Sequence, residues 1–479
     1  MKQSISFLLG LLISTTSHAE TSVIMIEPGD DVAKIVERAP ARTTFHLNPG
    51  LYRMQYARPK SGQKFIAKGE VVFNGATILS GWRNVDGFWV ARGPEKRQTP
   101  SGSCNANTPL CGHNEDLFVN GIVSLRAASL SDVRPGMMYD DGLNIHIADD
   151  PRGKLTELSI VPFAFASEAE GVQLQDITVE KYASPAQHGA IDFQGSRNWE
   201  LRNVVARLNH GVGARVGPGA RILGGSFSNN GQLGIGGGFG SGIVIENVEI
   251  AHNNYAGYSG GWEAGGTKFV KADGLVVRKA CVHHNNGPGL WTDIDNINIE
   301  FSDNLVFENN GDGIKHEISY RAKIHGNTVV RNGYQGANWL WGSQILIQNS
   351  QDVEVHDNIV EVGPEYSNGI SVINQNRGEG LHGTWVAKNN SVYNNTIIHP
   401  AAEGMNGMVA DHAREWFNKD SGNTFDFNTY VVPNDKRGYF LVKDHNIRFS
   451  ELPAYGMEMH ANVQVATRKP LRLACPRTP

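Results

Sequence analysis

The sequence predicts an all-β solenoid, a parallel β-helix in which short strands stack from one coil to the next. The main observation is a repeat of short apolar strands, each closed by an Asn and followed by Gly and a second short strand with no helical pattern. Internal repeats of about 20–50 residues indicate stacked supersecondary units. The repeated residues are Asn209, Asn229, Asn253, Asn285, Asn309 and Asn332, with successive spacings of 20, 24, 32, 24 and 23 residues.

Glycine, at 55 of 479 residues, is abundant enough for a chain that turns often. The repeated Asn residues are predicted to stack at the corners of consecutive coils, which is a structural role. The coil of 32 residues must carry a loop, and the Gly-rich segment 260–266 is its predicted location.

Residues 1–19 are typical of a secretory signal peptide. Lys2 gives a positive start, a short apolar run follows over 5–13, and Ser17-His18-Ala19 forms a small-x-small cleavage site. Glu20 is then the predicted first residue of the mature chain, which is expected to be soluble and periplasmic or secreted. No other stretch is apolar enough for a transmembrane helix, so membrane insertion is not expected.

Four further regions follow the signal peptide. Residues 20–81 are predicted to form an N-terminal cap and the first coils, with a capping helix that begins at Asp30 or Asp31 and carries Val32, Ile35 and Val36 on one face. In residues 82–165 the repeat lapses, which indicates an inserted β-rich subdomain. Residues 166–422 are predicted to form the parallel β-helix, and residues 423–479 a C-terminal cap.

The four cysteines are few for an exported chain. Cys104 and Cys111 flank a short loop and are predicted to form a local disulfide. Cys281 lies in an apolar strand and is predicted to be simply buried, whereas the sequence leaves Cys475 undecided.

The formal net charge of −5 and the pI near 6.4 carry no basic signature, so nucleic acid is not an expected partner. No cofactor and no metal site are predicted, although surface carboxylates could bind Ca²⁺. His283 and His284 precede a turn and are interpreted as ordinary corner residues. The oligomeric state is left open.

Two acidic residues occupy equivalent positions in adjacent coils. Asp293 lies eight residues after Asn285, and Glu317 lies eight residues after Asn309. Equal offsets predict that the two side chains stack, and strand alternation predicts that both point outward. Neighbouring strands are about 4.8 Å apart, so the carboxylates repel and one of them should have a raised pKa. A general acid beside an ionised partner has this arrangement.

Aromatic and charged residues surround this pair and are predicted to bind substrate. Exposed Trp side chains on a β-helix can stack against sugar rings. Trp339 and Trp341 follow Asn332 by seven and nine residues and should flank the acidic row. Lys315 accompanies the pair. The predicted substrate-binding residues are Trp262, Glu263, Lys268, Trp291, Asp295, His316, Trp339 and Trp341.

Several segments resemble bacterial right-handed parallel β-helix proteins of the pectate-lyase-like superfamily. They are residues 49–52 (Pro-Gly-Leu-Tyr), residues 117–121 (Leu-Phe-Val-Asn-Gly) and the Asn/Gly coils. The similarity covers most of the mature chain and implies a right-handed solenoid.

A narrower resemblance concerns the acidic pair. Trp291-Thr292-Asp293, followed one coil later by Glu317-Ile318-Ser319, is similar to the paired motifs of β-helix glycoside hydrolases of the β-xylosidase type. The resemblance implies that Asp293 is the nucleophile and Glu317 the acid/base. This chain departs from the pattern by one extra residue between the motifs and by the long loop that contains Trp262.

Three function classes follow. The first is a retaining glycoside hydrolase that uses Asp293 and Glu317 on an oligo- or polysaccharide. The second is a polysaccharide lyase or epimerase with Lys268 or Lys315 as base, which should have a more basic groove than this chain offers. The third is a non-catalytic carbohydrate-binding protein, which would have no need for stacked acids.

Overall fold

The computed structural model describes residues 23–95, 97–334, 339–363, 367–410, 421–443 and 445–475. The predicted signal peptide and its cleavage site lie outside these residues. No helix among the described residues is long and apolar enough to cross a membrane.

Two long sheets run along the solenoid. Within the described residues, sheet A has 22 strands and sheet B has 12. Within the coils, each strand pairs in parallel with the equivalent strand of the next coil. From residue 244 onward, most coils contribute one strand to sheet B and two short strands to sheet A. The predicted parallel β-helix is confirmed.

The first strands belong to sheet A: β1 (Val23–Ile26), β2 (Thr44–Leu47), β3 (Gly50–Arg53) and β4 (Lys64–Asn74). Between β1 and β2 lies helix α1 (Val32–Arg38), whose first turn is capped by Asp31 because its carboxylate accepts a hydrogen bond from the backbone N–H of Lys34. Val32 and Val36 are fully buried against the core. The capping helix is therefore confirmed, with Asp31 as its cap.

The chain leaves the solenoid after β4 and returns to pair the segment Gln173–Glu180 with that same strand. The excursion forms two small, mainly antiparallel sheets and a 3₁₀ helix (Leu130–Asp132) around a core of its own that includes Leu117, Ile145 and Leu158. Its strands are β5 (Ala76–Ile78), β6 (Arg83–Val85), β7 (Phe88–Arg92), β8 (Leu117–Val119), β9 (Ile122–Val123), β10 (Leu125–Arg126), β11 (Met137–Asp140), β12 (Asn144–Ile147) and β13 (Thr156–Ser159).

Sheet B carries one face of the solenoid. Its strands are β14 (Phe165–Ala166), β16 (Gly189–Asp192), β18 (Val212–Val216), β20 (Leu233–Ser241), β23 (Gly265–Asp273), β26 (Leu290–Asp293), β29 (Ile314–Glu317), β32 (Ser343–Gln348), β35 (Asn368–Asn374), β40 (Asn406–Ala410), β43 (Phe440–Val442) and β44 (His445–Ile447).

The remaining strands of sheet A close each coil. They are β15 (Gln173–Glu180), β17 (Glu200–Arg207), β19 (Arg221–Ser228), β21 (Val244–Glu246), β22 (Glu249–Ala251), β24 (Val276–Arg278), β25 (Cys281–His283), β27 (Ile299–Ser302), β28 (Leu305–Phe307), β30 (Ala322–His325), β31 (Thr328–Val330), β33 (Val353–His356), β34 (Ile359–Glu361), β38 (Ser391–Tyr393), β39 (Thr396–Ile398), β41 (Thr424–Asp426), β42 (Thr429–Val432) and β45 (Asn462–Val465). A separate hairpin consists of β36 (Glu379–Gly380) and β37 (Gly383–Thr384).

Buried Asn side chains stack along one corner as the sequence predicts, with one correction. The residue of the second coil is Asn230 rather than Asn229, since Asn209 donates to the Asn230 Oδ1 atom at 3.0 Å, and Asn230 donates to Asn253 at 3.0 Å. Asn229 is exposed and has a positive φ of 53°. A second ladder runs along another corner through Asn304, Asn327, Asn358, Asn395 and Asn428 and ends at Glu458.

The solenoid continues past the predicted boundary at residue 422. Strands β41 and β42 pair in parallel with the preceding coil, and β43 extends sheet B. The aromatic residues of this region, including Phe425 and Tyr430, point into the core of the solenoid. The more aromatic sequence after residue 422 therefore belongs to further coils and does not mark the start of a cap. A 3₁₀ helix (Phe449–Tyr455) then packs Leu452 against the end of the core.

Two disulfides are present. Cys104 and Cys111 are bonded with Cα atoms 5.6 Å apart, as the short loop between them predicts. Cys281, predicted to be simply buried, is instead bonded to Cys475, 194 residues away. The C-terminal residues 471–475 pack beside Phe307 and Val330 on sheet A, and a contact over so long a separation has no local sequence signal.

Candidate active site

Asp293 and Glu317 lie directly opposite each other on adjacent strands of sheet B. Strand β26 pairs in parallel with β29, and the register sets Leu290 against Ile314 and Asp293 against Glu317. Leu290 and Ile314 point into the core, so the alternating positions that hold the two acids face outward. Strands in such a pair are about 4.8 Å apart. The acids therefore form a stacked pair on the outer face.

The pair faces outward but is not freely exposed. Asp293 is 7% and Glu317 is 5% exposed, because cationic side chains lie over both carboxylates. The Lys268 ammonium is 2.8 Å from the Oδ2 atom of Asp293, and the Lys315 ammonium is 2.7 Å from the Oε2 atom of Glu317. Arg377 donates to the Oε1 atom of Glu317 at 2.8 Å. The two acids face outward as the sequence predicts, but charged side chains cover them.

These contacts shift the two carboxyl groups in opposite directions. Burial and the neighbouring Glu317 charge raise the pKa of Asp293, although Lys268 partly offsets them. Burial also acts to raise the pKa of Glu317, but Lys315 and Arg377 outweigh it and the pKa is lowered. Of the two carboxyl groups, the folded chain thus favours protonation of Asp293 over protonation of Glu317.

Trp291 occupies the outward position beside the acids but does not present an open ring face. Only 1% of it is exposed, and the Lys268 and Lys315 ammonium groups lie 3.9 and 4.7 Å from its ring centroid. The predicted stacking platform at this residue is therefore covered by cations. The ring instead holds both lysines close to the carboxylates.

Three polar atoms around the pair have no hydrogen-bond partner among the described residues. They are the Oδ1 atom of Asp293, the Nε1 atom of Trp291 and the Oε1 atom of Gln348. Gln348 lies opposite Glu317 on β32 and so extends the outward row by one coil. Buried polar atoms usually have hydrogen-bond partners. A group of neighbouring polar atoms without such partners is therefore suited to binding a ligand.

Gln348 and Arg377 are site residues that the sequence did not indicate. Gln348 follows Asn332 by sixteen residues rather than eight, because additional residues precede β32. Arg377 lies outside the repeat, just before the hairpin formed by β36 and β37. Aligning the apolar run of residues 345–347 with strand β29 would have placed Gln348 opposite Glu317. No feature of the sequence indicates Arg377.

Asp295 anchors this hairpin beside the acids. Its Oδ1 atom accepts hydrogen bonds from the Leu381 backbone and the Trp385 indole, both at 3.0 Å. Gly380 passes so close that an added Cβ atom would lie 1.8 Å from the same Oδ1 atom. The predicted substrate-binding role of Asp295 is thus replaced by a structural one, since its contacts hold the wall of the site.

His316 is buried in the interior between the two acidic coils. Its Nδ1 atom is 2.8 Å from the Thr292 hydroxyl, and its Nε2 atom is 2.6 Å from the Tyr320 carbonyl. Burial lowers the pKa of His316 to about 4. Because it points inward and is fully buried, the predicted contact between His316 and substrate is wrong.

The long loop places Trp262 and Glu263 near Lys268. The Lys268 ammonium donates to the Trp262 carbonyl at 2.6 Å, while the half-buried Trp262 ring packs beside Tyr258. Glu263 is buried and pairs with Arg215, and it accepts a hydrogen bond from Gln187. The loop therefore orients Lys268, and Glu263 is already fully engaged.

Trp339 and Trp341 do not flank the acidic row at the predicted offsets. They lie in the turn before β32, and their half-buried rings pack against an apolar cluster that includes Leu346 and Ile373 on the outer face of sheet B. Leu346 is opposite Lys315 in the sheet. The two Trp residues thus border the acidic site on the side of the later coils.

A cavity of about 390 Å³ lies apart from the acids, between the inserted subdomain and the corners of earlier coils. Its polar groups include Asp116, which His210 and Tyr255 contact at 2.9 and 2.7 Å. Among the described residues, the clusters suited to a metal ion do not include Asp293 or Glu317.

Comparison with known proteins bears on the fold. A family model of the right-handed β-helix region matches residues 189–352. The fold is a right-handed parallel β-helix. The structure of XylC in complex with xylose is similar with a TM-score of 0.67 at 15% identity, over 92% of this chain and 86% of that chain. No match was found among curated proteins.

A second solved structure is less similar. The mannuronan C-5 epimerase AlgE4 A-module of Azotobacter vinelandii has a TM-score of 0.47 at 12% identity, over 91% of this chain and 92% of that chain. At 15% identity, the similarity to XylC shows the fold alone, since one fold hosts many functions.

Proposed function

We propose that this protein is an exported carbohydrate-active enzyme, a retaining glycoside hydrolase that uses Asp293 and Glu317. The observation that carries the proposal is the register of β26 and β29, which sets the two carboxylates against each other on one outward face. Carboxyl groups about 5 Å apart favour retention, because that separation leaves no room for a water on the far side of the sugar.

The surroundings of the pair suit a sugar. The unpartnered atoms of Asp293, Trp291 and Gln348 can bond hydroxyl groups, and the half-buried rings of Trp339 and Trp341 can pack against an apolar sugar face. The resemblance of segments 291–293 and 317–319 to β-xylosidase motifs agrees with this reading, as does the xylose bound in the similarly folded XylC.

The roles within the pair have two candidate assignments. The family resemblance implies Asp293 as nucleophile and Glu317 as acid/base. The pKa directions favour the reverse in the free enzyme, since the pKa is raised for Asp293 and lowered for Glu317. In either assignment the pair supplies one proton donor and one ionised carboxylate, as double displacement requires.

A second candidate is a lyase or epimerase that acts on uronate sugars. The specific observation in its favour is that Lys268, Lys315 and Arg377 meet at the site, so the groove is more basic than the overall composition indicates. Arg377 could neutralise a substrate carboxylate. However, although burial lowers the pKa of Lys315, Glu317 and Asp312 outweigh it and raise the pKa, which makes Lys315 a poor base.

Export is part of the proposal. Two disulfides support an oxidising compartment, either the periplasm or the exterior. The expected partner is an oligo- or polysaccharide, with no membrane insertion and no nucleic acid.

The test is a screen of the purified protein against neutral and acidic oligosaccharides, reading new reducing ends and the absorbance of unsaturated uronates together. Hydrolysis gives reducing ends without that absorbance, and both Asp293→Asn and Glu317→Gln should lose at least about 99% of turnover. Glu300→Gln, on sheet A of the same coil, is the matched control. Unsaturated products that depend on Lys268 or Lys315 would establish the second candidate instead. Normal turnover in both amide variants would exclude this site.

A further inference from the structure

Three histidines converge on the outer side of sheet A, away from the sheet that carries the acids. His252 follows β22, His283 ends β25, and His284 comes next in the chain. Strands β22 and β25 pair in parallel with Ala251 opposite His283, which brings the two corners together. One ring nitrogen from each histidine lies within 4.8 Å of the other two.

The two consecutive histidines point the same ring atom at each other. The Nδ1 atoms of His283 and His284 are 2.8 Å apart. Their Nε2 atoms point at carboxylates, that of His283 to Glu249 at 3.4 Å and that of His284 to Glu308 at 3.0 Å. A carboxylate beside an Nε2 atom favours the tautomer with its proton there. Both Nδ1 atoms then direct lone pairs at one point.

Two ring nitrogen atoms that face each other at 2.8 Å either share a proton in a hydrogen bond or bind a cation between them. A metal-bound histidine commonly donates its other N–H group to a carboxylate, which fixes the tautomer and the ring orientation. Both carboxylates are fixed by further hydrogen bonds. The Ser226 hydroxyl donates to the Oε2 atom of Glu249 at 2.9 Å, and the Nε atom of Arg331 donates to the Oε1 atom of Glu308 at 3.1 Å. The arrangement therefore matches the outer contacts of a metal site.

We propose that His252, His283 and His284 bind one divalent transition-metal ion, with Zn²⁺ as the expected ion. Imidazole suits such ions, and Zn²⁺ bonds nitrogen at about 2.0–2.1 Å in tetrahedral geometry, which a small outward movement of the two Nδ1 atoms provides. His252 is exposed and His284 partly exposed, so the ion can enter and water can complete the coordination.

The neighbouring sulfur atoms do not belong to this ligand set. Cys281 and Cys475 lie within 4.8 Å of a His283 nitrogen, but they are bonded to each other and provide no thiolate. The interpretation of His283 and His284 as ordinary corner residues is accordingly replaced by a site that joins two coils. A metal bound there should stabilise the folded solenoid by mass action.

The experiment uses the untagged mature protein, stripped with a chelator, dialysed and kept non-reduced. Titration calorimetry should give about one Zn²⁺ per chain, and Co²⁺ should give the visible absorption of a tetrahedral nitrogen site. Zn²⁺ should also raise the Tm. The double variant His252→Gln, His284→Gln should weaken binding at least tenfold and lose the Tm shift.

The matched control is the pair His325 and His356, whose stacked rings lie 5.1 Å apart on the same sheet. The variant His325→Gln, His356→Gln should bind Zn²⁺ like the parent. The proposal is overturned if the parent binds less than half an equivalent, or if the two double variants behave alike. Circular dichroism of each variant verifies the fold, and none of these readouts depends on the proposed hydrolase activity.

Discussion

Asp293 and Glu317 are direct neighbours across β26 and β29, yet their pKa values shift in opposite directions. Glu317 has two cationic partners, Lys315 and Arg377, whereas Asp293 has Lys268 and an Oδ1 atom without a partner among the described residues. The pKa values of these two chemically similar groups thus differ because Glu317 has more cationic neighbours than Asp293.

This asymmetry predicts unequal stability effects at pH 7. Glu317→Gln should lower the free energy of unfolding by about 2 kcal/mol, because the folded chain favours the charged form and bonds to charged groups contribute about 1.5–3 kcal/mol. Asp293→Asn should cost less than about 1 kcal/mol, because the raised pKa means that the folded chain disfavours the charged form of Asp293 relative to the unfolded chain. Urea unfolding of the two variants and the parent measures the difference. Equal losses would contradict the opposite pKa shifts of the two acids.

Chemical rescue should identify the proton donor. In a retaining enzyme, azide restores turnover of a substrate with a good leaving group when the acid/base is replaced by Ala, and the glycosyl azide keeps the substrate's anomeric configuration. We expect such rescue for only one of Asp293→Ala and Glu317→Ala, and the pKa directions favour Asp293. Rescue of Glu317→Ala with retention would support the roles implied by the resemblance. Product configuration is read by NMR.

The Asn ladder should contribute strongly to stability. Asn230 is fully buried, accepts from Asn209 and donates to Ala206 and Asn253, each at 3.0 Å. Asn230→Ala leaves several buried groups unpaired and should cost about 3 kcal/mol or more. The control is Asn229→Gly, which keeps the left-handed backbone of an exposed neighbour and should change stability by less than about 0.5 kcal/mol. Similar losses in both variants would contradict the ladder assignment.

The repeat made the fold and the acidic pair predictable. The coils that begin at Asn285 and Asn309 have the same length up to β26 and β29, so equal offsets gave the correct register. The next coil has additional residues before β32, so an offset of eight residues from Asn332 does not reach the outward row of sheet B. For this reason the predicted positions of Trp339 and Trp341 were wrong, and Gln348 was not identified.

Contacts between distant segments could not be predicted. Arg377, which lies just before the hairpin and 60 residues after Glu317, contacts Glu317, and Cys475 is bonded to Cys281 over a separation of 194 residues. Alternation of side chains tells which residues point outward, but it does not tell what covers them. For that reason the sequence predicted two outward-facing acids, but not that Lys268 and Lys315 bury them.

The buried end of the second ladder should make stability depend on pH. Glu458 takes the place of an Asn, accepts from Asn428 at 2.8 Å and from Tyr430 at 2.5 Å, and has an Oε2 atom without a partner among the described residues. Burial raises the pKa of Glu458 to about 7, from 4.5. The folded chain therefore binds the proton more tightly than the unfolded chain, and stability falls as the pH rises from 4.5 through 7.

Glu458→Gln should remove this dependence, since the amide keeps an acceptor for Asn428 and Tyr430 and carries no charge. Each pKa unit corresponds to about 1.4 kcal/mol, so the variant should be more stable than the parent by up to about 3 kcal/mol at pH 8.5 but by only about 1 kcal/mol at pH 5. Denaturant unfolding at both pH values measures the effect, with the exposed Glu70→Gln as control. If the parent and Glu458→Gln lost stability equally between these pH values, Glu458 would be ionised throughout, and the ladder would end on a charge that its neighbours stabilise.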